Sequence, residues 1–229
     1  MPTVITSPSD SVSENTPVLS AILEKRSALP SERAFLVGIS GIDAAGKGFV
    51  TARLAEELEG RGLRVAVINV DGWLNLPAVR FDPADLAAHF YNHAIRFDEL
   101  FAQLIRPLVR NRSIELEADF TEETATDYRK HNYRFSDVDL VLLEGIFLLK
   151  MKHRQHFDLT AWVDCSFGTA LERAIERCQE GLPPAETIRA FQTIYFPAQR
   201  IHYERDNPRA AADFVIDNDL VTKVRGAHE

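Results

Sequence analysis

The segment Gly41-Ile42-Asp43-Ala44-Ala45-Gly46-Lys47-Gly48 constrains this chain more than any other stretch of it. It satisfies every position but the last of G-x-x-x-x-G-K-[ST], the loop whose backbone N–H groups and lysine wrap the phosphates of a nucleotide. Such a loop works between a buried strand and a helix, because the unpaired N–H groups of the helix's first turn attract the anion. Both flanks are present: residues 34–39 form an apolar run, and residues 49–58 have a helical pattern. Gly41, Ala44, Ala45, Gly46, Lys47, Gly48 and Phe49 are therefore the expected nucleotide contacts. Gly48 stands where a hydroxyl normally touches magnesium, which places the open question on metal handling rather than on phosphate binding.

Further apolar runs follow at 64–70, 140–143, 159–163 and 214–216. Nearly continuous hydrophobicity marks strands covered on both faces, as in parallel sheets. Helical patterns separate the runs, including 18–29 before the first strand and 170–179 near the end, where Pro183-Pro184 stops and restarts a helix. The alternation predicts an α/β fold: a P-loop NTPase-type, doubly wound sheet, mostly parallel, with helices on both faces. Residues 72–136 break the pattern. Helices are expected at 82–94 and 97–109, an exposed strand at 113–118, and a polar, aromatic stretch without a long apolar run at 121–133. This reads as a small substrate-binding insertion. The expected organisation is a disordered leader over 1–17 and one domain over 18–229, with the insertion at about 72–136 and a lid at about 168–190.

Composition narrows the partners. A net charge of -8 over 229 residues is unsuited to nonspecific nucleic-acid binding and favours a small-molecule or nucleotide partner. No segment approaches the roughly 18 apolar residues of a membrane span. The start is polar, rich in Ser, Thr and Pro, and unlike a signal peptide. The two cysteines, Cys165 and Cys178, give no disulfide framework or metal cluster and are expected as small apolar side chains in a reducing cytoplasm. Homo-oligomerisation is left open, since no apolar stripe remains once the core is assigned.

In open parallel sheets, ligands bind beyond the carboxyl ends of the strands. Asp71, Glu144 and Asp164 each follow a strand candidate directly. If their strands neighbour the loop, Asp71 and Glu144 lie near the γ-phosphate, where a carboxylate either holds magnesium or accepts a proton from an attacking hydroxyl. Arg173 and Arg177 share one face of a helix and could neutralise phosphate charge, but Glu172 and Glu176 interleave with them, so a solvated ion-paired face competes. Arg200, His202 and Arg205 form a second basic cluster, read as surface charge. His131 and Asp127 lie with Tyr128 in the insertion, a set suited to a polyhydroxylated ligand.

In the order and spacing of its motifs, the chain resembles the uridine kinase and phosphoribulokinase family of P-loop small-molecule kinases from about residue 35 to 218. The resemblance is carried by Gly38-Ile39-Ser40-Gly41-Ile42-Asp43-Ala44-Ala45-Gly46-Lys47, Val70-Asp71-Gly72-Trp73, Leu143-Glu144-Gly145-Ile146-Phe147 and Ala212-Asp213-Phe214-Val215-Ile216. It implies transfer of the γ-phosphoryl of ATP, with Mg²⁺, to a hydroxyl of a small substrate. By position, Lys47 would hold the β- and γ-phosphates, Asp71 would be general base near the metal, Glu144 a metal-side carboxylate, and Arg177 a lid arginine. Asp127 and His131 match the family's substrate hairpin, and Asn92 stands at a ribose-binding aspartate. Thr126, Ala190 and the segment after Arg177 depart from the uridine kinase pattern. Arg80 would offer a charged contact to an acidic or phosphorylated acceptor.

Overall fold

The computed structural model describes residues 2–5, 17–178 and 181–219. Eight strands run along the chain: β1 Thr3–Ile5, β2 Phe35–Gly41, β3 Val65–Asn69, β4 Ile114–Phe120, β5 Arg129–Phe135, β6 Leu140–Gly145, β7 Leu159–Asp164 and β8 Phe214–Asp217. Six form one sheet in the order β1-β8-β7-β2-β6-β3, with every pairing parallel. The continuous apolar runs are explained by the pleat. Phe35, Val37 and Ile39 face one layer together with Leu140 and Leu142, while Leu36, Val141 and Leu143 face the other.

Helices α1 (Pro17–Ser27), α2 (Lys47–Glu59) and Phe167–Arg177 cover the first face. Leu86–His93 and the helix 97–111 cover the second. Leu100, Phe101, Leu104, Ile105 and Leu108 are all buried there, so residues 97–111 form a core layer rather than a cover over substrate. The helix expected from residue 82 starts at Leu86 instead. Asp85 caps it through the Ala88 N–H, and a separate short helix, Pro77–Arg80, precedes it.

The polar stretch expected at 121–133 contains β5, which pairs antiparallel with β4 to form a hairpin of its own. Part of the expected leader is also ordered, since Thr3–Ile5 extends the sheet beside β8. Residues 6–16 lie outside the described set.

Two helices widen where proline approaches. The helices 97–111 and 184–206 each contain a π turn, Leu100–Ile105 and Phe191–Tyr195, and in each a proline (Pro107, Pro197) follows shortly after. Proline lacks an N–H and clashes with the carbonyl four residues back, so a locally wider turn accommodates it.

The second helix is anchored by a buried polar cluster. The Tyr91 hydroxyl donates to Asp206 Oδ2 at 2.5 Å and His202 Nδ1 to the same oxygen at 2.7 Å. The Met151 N–H donates to Asp206 Oδ1 at 3.0 Å, and Lys150 Nζ donates to the Tyr91 carbonyl. His202 is fully buried, which corrects its expectation as surface charge. Cys165 packs against the first core cluster as a small apolar side chain, whereas Cys178 departs from that expectation and is exposed. Among the described residues no helix is long and apolar enough to cross a membrane.

Candidate active site

The loop after β2 turns through two left-handed residues, Ala44 and Gly46, before α2 begins at Lys47. That turn aims the first N–H groups of α2 into a cleft of about 520 Å³ at the carboxyl ends of β2, β3 and β6. Lys47 is buried, and its Nζ donates to the Ile42 carbonyl at 2.9 Å, folded back over its own loop. Asn218, just beyond β8, donates to the Ala45 carbonyl at 2.7 Å. Arg173 bonds to that carbonyl at 3.2 Å and to the Asn218 carbonyl at 2.8 Å. The loop is thus braced from outside by a helix and by the end of a strand.

Glu144 closes β6, paired in register between Ile39 of β2 and Asn69 of β3. Asn69 Nδ2 donates to Glu144 Oε2 at 3.3 Å, and Asn69 Oδ1 accepts the Asp71 N–H at 2.7 Å. One asparagine therefore spaces the two carboxylates. The glycines that follow these acids are required by close approach. A Cβ on Gly145 would meet Val70 at 2.1 Å, and one on Gly72 would meet the Phe120 ring at 2.4 Å. Burial raises the pKa of Asp71, opposed by Lys47 and reinforced by Asp43. Glu144 is raised for the same first reason, with Lys47 opposing and Asp71 reinforcing.

Among the expected residues, Ala44, Gly46, Lys47, Gly48, Phe49, Asp71, Arg80, Glu144, Arg173 and Arg177 line the one cleft. Phe49 is 56% exposed at its mouth, and Arg80 is buried in its wall. A Cβ on Gly48 would lie 3.7 Å from Glu144 Oε2, so the missing hydroxyl belongs beside this carboxylate. Thr51 does not replace it: its buried hydroxyl donates to the Lys47 carbonyl at 2.9 Å.

Gly41, Ala45, Asn92, Asp127 and His131 do not line the cleft: Gly41 ends β2 and Ala45 is fully buried within the loop. Asn92 is exposed and donates to the Ala88 carbonyl of its own helix. Asp127 is exposed and accepts from Thr126. His131 packs on Phe120 and Tyr133 in the hairpin, with ring centroids 5.1 and 4.5 Å away. Asp164 is held by Trp162 and Arg209, away from the cleft.

Sequence reasoning did not single out Asp43, Asn69, Phe90, Glu123, Phe191 and Tyr195, which also line the cleft, nor Asn218. Asn69 was within reach as a neighbour of Asp71. Asp43 lies within the loop itself, and the others come together only through tertiary folding.

Comparison with known proteins follows the same lines. A model of the methylmalonyl Co-A mutase-associated GTPase MeaB family matches residues 3–75, from β1 to just past Asp71. No curated protein matches the sequence. Among solved structures, one from Bacillus stearothermophilus described as a possible uridine kinase superposes with a TM-score of 0.65 at 21% identity, over 87% of this chain and 97% of that one. This is a kinase-like P-loop fold. D-glycerate 3-kinase from Cryptococcus neoformans gives a TM-score of 0.62 at 12% identity, covering 89% and 94%. Phosphoribulokinase from Rhodobacter spheroides gives 0.60 at 14%, covering 84% and 72%.

Proposed function

We propose that this protein transfers the γ-phosphoryl group of ATP to a hydroxyl group of a small metabolite. The observation that carries the reading is the convergence of Lys47, Arg177, Asp71 and Glu144 on one cleft beyond the carboxyl ends of adjacent strands. Phosphoryl transfer asks a protein mainly for positioning and charge stabilisation, and these groups supply both.

Asp71 is placed to accept the hydroxyl proton. Burial shifts it towards the protonated form and Lys47 opposes this, a balance suited to a group that takes up a proton during reaction. Lys47 is within its own loop's reach and needs only to leave the Ile42 carbonyl to meet the phosphates. Arg177 faces the same cleft from the lid helix, and Arg173 holds the loop through Ala45.

Magnesium fits this donor set. Asp71 and Glu144 are adjacent carboxylates, and no set of three or more His, Cys, Asp or Glu forms a closed metal cage among the described residues. One or two carboxylates completed by phosphate oxygens and water is how this ion is commonly held. When bound, it would neutralise charge on the β- and γ-phosphates.

The acceptor half of the cleft carries Leu74, Phe90, Ile146, Phe191 and Tyr195 with Arg80 and Glu123. The buried Arg80 favours an acceptor that is acidic or phosphorylated, such as a sugar phosphate. A uridine- or cytidine-like nucleoside is supported less, because Asn92 and the hairpin residues Asp127 and His131 lie outside the cleft. ADP release measured with nucleosides, sugars and sugar phosphates tests the reading. Stimulation by a phosphorylated sugar but not by uridine is the expected result.

A second reading, an ATP-binding regulatory module, draws on Gly48. Binding of ATP with no acceptor-stimulated ADP release across that panel would favour it.

A further inference from the structure

Within residues 41–48, only Asp43 carries a negative charge. It lines the cleft with Lys47 and Asp71, at the end where phosphates are expected. Such a charge repels a polyphosphate, so its presence there calls for a reason. It is also held in place. Gln199, far along the sequence on the helix 184–206, donates from Nε2 to Asp43 Oδ2 at 2.8 Å. Gln199 is completely buried, and its Oε1 has no hydrogen-bond partner among the described residues. A buried amide oxygen without a donor costs stability. What the arrangement secures is a fixed carboxylate facing the cleft.

The charges of the cleft are balanced. Lys47, Arg80, Arg173 and Arg177 are offset by Asp43, Asp71, Glu123, Glu144 and Glu176. A bare triphosphate therefore meets little net attraction, whereas a magnesium-loaded one brings positive charge to the carboxylates. Gly48 sharpens the requirement, because no hydroxyl in the loop can hold the ion.

We propose that Asp43, fixed by Gln199, makes the cleft selective for the magnesium-loaded nucleotide over the free one. The inference rests on the reading of this cleft as an ATP site. Gln199 is a positioning residue here, acting through Asp43.

The test is calorimetric binding of a non-hydrolysable ATP analogue (the β,γ-imido compound) to the full chain, once in EDTA and once in excess MgCl₂. The readout is the ratio of the two dissociation constants. Asp43→Asn keeps the shape and can still accept from Gln199. It is expected to shrink the ratio about tenfold, chiefly by tightening metal-free binding, as removal of one like charge from a shared cleft should. Gln199→Met keeps the carboxylate but releases it, and a smaller fall in the ratio is expected. Should Asp43→Asn fail to fold, Asp43→Ser removes the same charge.

A ratio within about twofold of wild type in the Asp43 variant would overturn the proposal, since lost positioning alone weakens both states alike. An unchanged ratio in Gln199→Met would overturn the role given to the glutamine. Wild-type chain that binds the analogue in neither buffer would refute the ATP-site reading itself, a result distinct from both.

Discussion

Asp71 and Glu144 are carboxylates that burial holds above their ordinary pKa, with Lys47 as the main counterweight to both. Asn69 touches both residues, through its amide nitrogen to Glu144 Oε2 and its amide oxygen to the Asp71 N–H. Asp71→Asn is expected to lower turnover about a hundred- to ten-thousandfold, the range associated with loss of a general base, while nucleotide affinity by calorimetry changes little. Comparable turnover in the variant would remove Asp71 from the mechanism. Gly48 gives the opposite kind of test. The open space beside Glu144 Oε2 admits a small side chain, so Gly48→Ser is expected to lower the magnesium concentration needed for half-maximal activity. A rise in that concentration would mean that the site is organised around the glycine. The acids and the loop were legible in sequence because each is a local signal: a motif, or a charge directly after an apolar run. Asp43 and Gln199 meet only through tertiary folding, and no spacing rule joins them.

The helix 184–206 touches three places at once. Phe191 and Tyr195 in its π turn line the cleft, Gln199 reaches the loop, and His202 and Asp206 sit in the buried polar cluster. That cluster should make the fold sensitive to acid. Burial raises the Asp206 carboxyl, but hydrogen bonds from His202, Tyr91 and the Met151 N–H outweigh it and bring the pKa down to about 2. Burial lowers His202, with Asp206 opposing. Both folded values lie below the unfolded ones of roughly 3.9 and 6.5, so the unfolded chain binds more protons and stability falls as pH falls. Melting temperature should decline first below about pH 6.5 through His202, then further below about pH 4 through Asp206. Asp206→Ala should cost about 2–4 kcal/mol by chemical denaturation, because it leaves the Tyr91 hydroxyl, His202 Nδ1 and the Met151 N–H without their acceptor. A cost below about 1 kcal/mol would mean that the cluster tolerates the loss of its centre.

Elements differed in how visible they were. β2, β6 and β7 were evident because both faces are covered. β5 was hidden because its sequence, Arg-Lys-His-Asn-Tyr-Arg-Phe, buries only Tyr133. Its partner β4 shares the hairpin's single inward face, where Ala118 and Tyr133 meet the second core cluster, so β5 carries no apolar run of its own.

At the scale of the whole molecule, the sheet has two margins of different character. One is β1, a strand of only three residues laid beside β8. Such a strand covers backbone groups that would otherwise form an exposed edge. Deleting residues 1–5 is expected to lower the melting temperature by a few degrees and to increase light scattering during a thermal ramp. Unchanged values for both would show that β8 needs no cover. The polar composition of the N-terminus concealed this strand, because three residues carry too little pattern to be read.

The other margin is β3, the last strand on its side and the one that delivers Asp71. The short helix Pro77–Arg80 and the hairpin follow it in the chain, and the hairpin buries Ala118 and Tyr133 against the second core layer. The loop after β2, by contrast, is bounded by β6, α2 and the helix Phe167–Arg177. The hairpin meets the segment that carries Asp71 directly, the Thr121 N–H donating to the Gly72 carbonyl at 3.2 Å, so a change in the hairpin is felt at this acid without passing through the sheet.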